Sequence, residues 1–278
     1  MPPKRISILG VGLLGGSIGL AIKSLVSDCQ IIGYGHRQST LDNSIRLGAI
    51  DLAFTDPAAA VEGADLVILC TPVGLFGEIL AKISDALSPE AIFTDVGSTK
   101  QSVVQLAGKL LKYPTRFVGS HPMAGSEKRG VEFARADLFR GAHCITTPLA
   151  STDPKALEDI EAFWKMLGMR ISRLAPDEHD RILAEVSHLP HAVAAALVAM
   201  QSEKGLSLCG PGFRDATRIA AGDPGLWRDI FIDNKQSLSA SLRRLRDELD
   251  QLQQKLDDGD AKAIEQWLDA AARRRKSL

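Results

Sequence analysis

The chain has 278 residues, enough for one large domain or two modest ones, and 45% of them are hydrophobic, so a substantial core can form. Its formal net charge of −1 gives no electrostatic case for nucleic acid or for an anionic membrane surface. The four cysteines form no CxxC pair and no zinc-spaced cluster with histidine, which excludes a metal site by motif and fits a reduced, cytoplasmic protein.

In chain order, residues 5–9 read as a short buried strand that Met1-Pro-Pro-Lys-Arg5 enters directly, with no signal peptide before it. Residues 13–26 follow as a helix rich in small and apolar residues, and 30–34 as a second strand. A continuous apolar run at 66–70 is a third strand, 73–87 a helix and 91–95 a strand. Residues 116–119, 143–147 and 170–174 complete the strand set, with a helix over 154–167. Strands alternating with helices predict a mostly parallel sheet covered on both faces.

After Ala175-Pro176 the character changes. Residues 176–203 read as one long helix, broken or kinked near Pro190, and from Trp227 the pattern is helical almost to the end. Leu238, Leu242, Leu245, Leu249, Leu252 and Leu256 step by alternating fours and threes, a heptad-like seam that predicts a homodimer. The basic run Arg273-Arg274-Arg275-Lys276 reads as a solvated helix end. No apolar run is read as reaching the ~18 residues of a membrane span.

Gly10-Val-Gly12-Leu13-Leu14-Gly15 lies between a strand and a helix, the context in which GxGxxG binds a dinucleotide. Gly10 makes the tight turn, Gly12 lets the backbone approach a pyrophosphate, and Gly15 lets helix and strand pack closely. The helix amino terminus offers unpaired N–H groups to the anion. The second strand ends in Gly33-Tyr-Gly35-His36-Arg37-Gln-Ser39-Thr40, where an NAD site would carry an acidic residue for the ribose 2′-hydroxyl. Here Arg37, Ser39, Thr40 and His36 are suited to a 2′-phosphate, so NADP is preferred over NAD. Cys70-Thr71-Pro72, ending the next long strand, is expected to touch the inner ribose and diphosphate. The expected fold class is α/β, a Rossmann-type sheet domain over 1–174 followed by an all-α dimerisation domain over 175–278.

Asp95-Val-Gly97-Ser98-Thr-Lys100 stands at the carboxyl end of a strand, the edge where open α/β sheets bind ligands. Ser98 is placed to meet the nicotinamide side of the cofactor and is also suited to cap a helix, two roles that are compatible. His121, in Gly119-Ser-His121-Pro-Met-Ala-Gly-Ser126-Glu127, follows another strand at the same edge. Oxidising an alcohol requires a base for the hydroxyl proton, and a neutral imidazole suits that at pH 7.

These motifs, with Asp137-Leu-Phe139, Val186-Ser-His188-Leu-Pro-His191, Gly212-Phe-Arg214-Asp-Ala-Thr-Arg218 and Asp223-Pro-Gly-Leu-Trp227-Arg-Asp229, closely resemble the prephenate/arogenate (cyclohexadienyl) dehydrogenase family of tyrosine biosynthesis. The resemblance runs from the first strand to about residue 235. It implies NAD(P)-dependent oxidative decarboxylation of a cyclohexadienyl ring, with His121 accepting the ring hydroxyl proton and Ser98 orienting both partners. It implies that Arg218 holds a substrate carboxylate, that His191 is a second substrate-side histidine, and that Ser126 and Glu127 line the entrance. Trp227 packs over the substrate or in the core, Arg214 reaches across a dimer, and His188 reads as structural. Gly35 stands where NAD-preferring members carry their acidic residue, and the NADP pattern leans toward arogenate. Other two-domain NADP enzymes, such as hydroxyacid dehydrogenases or imine reductases, and a non-enzymatic nucleotide sensor are the competing readings.

Overall fold

The computed structural model describes residues 3–126 and 128–277. They fall into two compact units, Met1–Asn234 and Lys235–Leu278.

The first unit is built on one eight-stranded sheet. Its strands are β1 (Arg5–Leu9), β2 (Gln30–Tyr34), β3 (Leu52–Phe54), β4 (Leu66–Leu69), β5 (Ile92–Asp95), β6 (Phe117–Pro122), β7 (His143–Thr147) and β8 (Arg170–Arg173), in the order β3-β2-β1-β4-β5-β6-β7-β8. From β3 to β6 all neighbours are parallel; β6 and β7 are antiparallel, and β7 and β8 are parallel again. The order steps outward in both directions from β1 and β4, so the loops after those two strands diverge and leave a crevice at their carboxyl ends.

Both sheet faces are covered, and the strand sequences show it. In β1, Ile6 and Ile8 point into the core packed beneath α1 (Leu13–Leu25) and α6 (Pro154–Met166), while Leu9 joins the opposite core under α4 (Phe76–Ile83) and α5 (Gln101–Leu110). In β4, Leu66 and Ile68 face one side and Val67 and Leu69 the other, all without exposure. An unbroken apolar run is what a doubly covered parallel strand requires. Each such side chain contributes roughly 1.5–3 kcal/mol on burial. The short edge strand β3 and the helices α2 (Gln38–Arg46), α3 (Pro57–Val61) and α5 add to the elements read from the sequence.

The helical segment after the sheet begins with α7 (Pro176–Leu183), passes through a π-helical turn (Ala184–His188) and continues as α8 (Leu189–Ala199). Pro190 has no N–H for a bond one turn back, and the wider π turn just before it absorbs that missing donor. The axis is therefore continuous where a break was expected. By length and composition Pro176–Ala199 could cross a membrane, with a window mean hydropathy of 1.5, which corrects the reading that no such run exists. Its buried face, however, carries His179, Asp180, His188 and His191, a polar face suited to a site.

Short helices α9 (Glu203–Ser207), α10 (Pro211–Thr217) and α11 (Pro224–Asp233) complete the first unit. Because α7 packs on α5 and α10 packs on α8, these helices pack with the sheet, and the compact units divide at 234/235. The second unit is a hairpin of α12 (Lys235–Asp257) and α13 (Ala261–Lys276). Gly259 turns the chain at φ +65, and Asp260 caps α13 by accepting the Ala263 N–H at 2.9 Å.

Candidate active site

The glycine fingerprint forms a cradle at the crevice. Gly10 sits at φ +110, and a Cβ there would lie 2.8 Å from the Cys70 carbonyl carbon. A Cβ on Gly15 would strike the Gly10 carbonyl oxygen, so the first turn of α1 can lie against the end of β1 only with glycine there. A Cβ on Gly12 would meet nothing within 4 Å, which leaves open space over the N-terminus of α1. Nothing in α1's first turn is acidic, and no side chain caps it. The buried hydroxyl of Thr71, beside Gly10, has no protein partner. Free amides, open space and an unpaired hydroxyl form a set that fits a dinucleotide diphosphate. Leu13 and Leu14 are half-buried within that turn, as are Cys70 and Thr71, whereas Pro72 is exposed. His36, Arg37 and Ser39 are exposed at the start of α2, and Thr40 is half-buried there.

Next to the cradle lies a buried polar cluster. Lys100 and Asp95, each without exposure, form an ion pair. The Asp95 carboxylate also accepts the N–H of Gly97 at 2.8 Å and of Ser120 at 2.9 Å. It thereby ties the loop bearing Ser98 to the strand bearing His121. Burial pushes the Asp95 carboxyl upward, opposed by the Lys100 ammonium and these backbone donors. Gly97 is packed so tightly that a Cβ would lie 2.8 Å from Asp95 Oδ2 and from Val73.

His121 lies within β6, not after it. The strand runs on to Pro122 because β7 pairs with it antiparallel, placing His121 opposite Ile145. The ring is 8% exposed, and its Nδ1 is 2.9 Å from His179 Nε2. His179 Nδ1 in turn is 2.8 Å from Asp180 Oδ1. Burial holds His121 well below the ordinary 6.5, with His179, Lys100 and His188 acting in the same direction. Burial also lowers His179, against the pull of Asp180. Asp180 accepts the N–H of Lys100 at 2.7 Å and of Gln101 at 2.9 Å, so it caps α5 from another element. Ser98 is therefore not the cap; it is half-buried in the loop before the helix.

A second group of rings adjoins the first. His188, on the π turn, has its Nδ1 3.1 Å from Asn234 Nδ2, and that same amide donates to the Asp180 carbonyl at 2.7 Å. The Ser98 backbone is near enough to favour the charged His188 ring, but burial dominates and lowers it to about 4. His191 stacks on Trp227 with centroids 3.5 Å apart and planes 13° from parallel. Gly222 closes against this stack, since a Cβ there would be 2.6 Å from Trp227 Nε1. His188 Nε2 and His191 Nδ1 are buried without a partner. Unmatched buried polar atoms cost roughly 1–3 kcal/mol each, so a polar ligand at these rings would offset a standing penalty.

Of the remaining expected residues, Arg218 opens a short turn (Arg218–Ala221) packed on α8, and its side chain is exposed, as are those of Arg214 and Ser126. Arg129 pairs with Asp223, linking the loop after β6 to the cap of α11. Glu127 lies outside the described residues. Among the described residues, no group of three or more His, Cys, Asp or Glu side chains is arranged to hold a metal ion. A cavity of about 780 Å³ lined by Lys4, Leu66, Arg116 and Met166 sits at the amino ends of the strands, the edge opposite the one where such sheets bind ligands.

Sequence reasoning missed His179, Asp180 and Asn234, and it left Asp95 and Lys100 without roles. A signal existed for the first two. Positions 179, 180, 183, 184, 188 and 191 share the buried face of one continuous helix, and four of the six are polar. Polar residues on the core face of a helix need partners and mark a site.

Residues 18–173 match the family model for the nucleotide-binding domain of prephenate dehydrogenase, and residues 175–270 match that for its dimerization domain. The chain is 36% identical to the prephenate dehydrogenase of Bacillus subtilis over 98% of its own length and 76% of that protein's. It is 37% identical to the cyclohexadienyl dehydrogenase of Zymomonas mobilis, covering 87% of each. The prephenate dehydrogenase of A. aeolicus, solved in complex with hydroxyphenyl propionate and NAD+, superposes with a TM-score of 0.93 at 34% identity over 100% of this chain and 99% of that one. Synechocystis arogenate dehydrogenase gives 0.83 at 31% identity over 99% of this chain and 100% of that one. With both family models matched in order, the chain belongs to the prephenate dehydrogenase family.

Proposed function

We propose that this protein oxidatively decarboxylates prephenate, arogenate or both, yielding 4-hydroxyphenylpyruvate or tyrosine, with NADP as the preferred cofactor. The observation that carries the reading is a neutral, buried imidazole, His121, held at the carboxyl edge of the sheet beside a dinucleotide cradle. A nicotinamide, when bound, supplies the acceptor for the hydride leaving ring carbon 4. His121 takes the ring hydroxyl proton as that hydride leaves, and loss of the ring carboxylate as carbon dioxide makes the product aromatic. Ser98 orients the hydroxyl, on a loop whose neighbouring Gly97 is tied through Asp95 to the His121 strand. His191 and Trp227 form a flat wall for the ring, and Arg218 is the guanidinium for a substrate carboxylate. Ser126, Glu127 and Arg214 complete the substrate side.

Gly10, Gly12, Leu13, Leu14 and Gly15 would hold the diphosphate, with Cys70, Thr71, Pro72 and Gly97 toward the nicotinamide end. NADP is favoured because the segment after β2 carries no carboxylate, while Arg37, Ser39 and Thr40 open α2 and His36 adjoins. The helical part from residue 175 is proposed as the dimerising domain. The test is to follow reduced-nicotinamide absorbance with each substrate and each cofactor, for the wild type and for His121→Ala. Turnover with neither substrate, or full turnover by His121→Ala with nucleotide binding kept, would overturn the reading.

A further inference from the structure

We infer that His179 and Asp180 are positioning residues that fix the tautomer of His121, keeping its Nδ1 protonated so that Nε2 holds the lone pair that takes the substrate's proton. This rests on His121 being the base, the reading proposed above.

The polarity of the chain of contacts follows from its anchored end. The N–H groups of Lys100 and Gln101 can only donate, and they end on Asp180 Oδ1 at 2.7 Å and Oδ2 at 2.9 Å. They belong to the cap and first residue of α5, where a helix dipole further favours an anion. Burial pushes Asp180 up, but its bonds from His179, Gln101 and Lys100 outweigh that and hold it below its ordinary value. An ionised carboxylate only accepts. His179 Nδ1, 2.8 Å from Oδ1, is therefore the protonated nitrogen of that ring. His179 is itself kept neutral by burial, so its Nε2 carries a lone pair. His121 Nδ1 lies 2.9 Å from that lone pair and must be the donor. A neutral His121 protonated on Nδ1 is unprotonated on Nε2. That nitrogen bonds to no described residue and is not among the buried orphaned ring nitrogens, so it is the end of the ring that a substrate reaches.

With a lone pair on His179 Nε2, the opposite tautomer of His121 would place two lone pairs against each other at 2.9 Å. The other ionisable groups around the pair are Lys100, ion-paired with Asp95, His188, lowered to about 4 by burial, and Cys144, whose thiol burial pushes up. None supplies an acceptor that would reverse the order. Asn234 holds the backbone of Asp180 by donating to its carbonyl at 2.7 Å. The logic is that of an aspartate that orients a catalytic histidine, with an extra imidazole between them.

Two variants separate orientation from bulk. His179→Leu removes the acceptor facing His121 while filling its volume. His179→Gln presents an amide oxygen near the position of Nε2. We expect His179→Leu to lose about 100-fold or more in kcat, with KM for substrate and Kd for NADP within about threefold. His179→Gln is expected to recover most of that loss. Independently, ¹⁵N-histidine NMR of the unmodified protein, with the His121 signals assigned by loss in His121→Asn, reads the tautomer directly and is expected to show Nδ1–H. An Nε2–H tautomer overturns the inference whether or not the variants fold. So does an unchanged kcat in His179→Leu, or a Gln variant as impaired as the Leu variant. Failure of the underlying reading looks different: His121→Ala would keep its turnover while the NMR still reported Nδ1–H.

Discussion

An imidazole acts as a base only while it is neutral, and the environment of His121 secures that state. Burial is the largest cause, and three cationic or potentially cationic neighbours push the same way. The acid limb of kcat/KM is therefore expected below pH 6.5, the ordinary histidine value. A limb at or above that value would contradict the buried-base reading. The same burial shapes stability. His188 is lowered from 6.5 to about 4, so between those values the unfolded chain binds a proton that the folded chain refuses. Stability is thus unaffected above about pH 6.5 and falls as the pH drops toward 4, by on the order of 3 kcal/mol for this one group. Urea titrations at the two ends of that window should show His188→Gln losing less on acidification than the wild type. Lys100 is a different case, because it is wholly enclosed with its ion-pair partner Asp95. Lys100→Met strands a buried carboxylate and should cost about 3–5 kcal/mol, with Lys100→Met/Asp95→Asn recovering part of it in thermal unfolding. A loss under about 1 kcal/mol would mean that the pair is not holding the Ser98 loop to the His121 strand.

At the scale of elements, what the sequence disclosed follows from how local each signal is. The strand β4 is an unbroken apolar run, and the turn between β1 and α1 needs glycine at positions 10 and 15, so both are legible from a few adjacent residues. His121 and Ser98 carry a signal of the same kind, since each lies at or just beyond the carboxyl end of a recognisable strand. β3 has three residues, too few to show a period. The relay of His179 and Asp180 is illegible as a motif because its meaning lies in contacts made 58 and 80 residues away, with His121 and Lys100. The role of Ser98 as a cap looked plausible locally and fails because a distant carboxylate caps α5 instead. The β2–α2 junction is the element whose chemistry is decided by single side chains. If Arg37 meets a 2′-phosphate there, Arg37→Asp should weaken NADP+ at least tenfold while changing NAD+ by less than about threefold. Isothermal titration with both nucleotides measures this directly, and equal losses would show that Arg37 does not read the phosphate.

For the whole molecule, the mostly parallel, doubly covered sheet was predictable from alternating elements, whereas a compact division by packing is not a property that local sequence displays. The polarity of the residues changes near 175, whereas the packing changes at 234/235, because α7 takes its partners from the sheet. What lies beyond is a two-helix hairpin with an unsatisfied apolar stripe. Leu242, Leu249 and Leu256 on α12 are 41, 52 and 55% exposed, and Leu268 on α13 is 55% exposed. Two helices joined by a short turn, with a Trp267–Glu248 hydrogen bond between them, bury too little surface to be stable alone. Leucines recurring at heptad spacing lose that exposure when a second copy supplies the facing helices. The residues fall within the part of the chain matched by the family's dimerization domain. We therefore expect sedimentation equilibrium to report a dimer, and Leu242→Glu/Leu249→Glu to shift it toward monomer. Placing two carboxylates in such a seam should raise the dissociation constant at least 100-fold, since burying each charge costs more than the leucine contacts it replaces. The double variant should also lose thermal stability in a concentration-dependent way, which separates broken association from a misfolded hairpin. A wild-type chain that sediments as a monomer at micromolar concentration, or a variant that stays dimeric, would remove α12 from the interface.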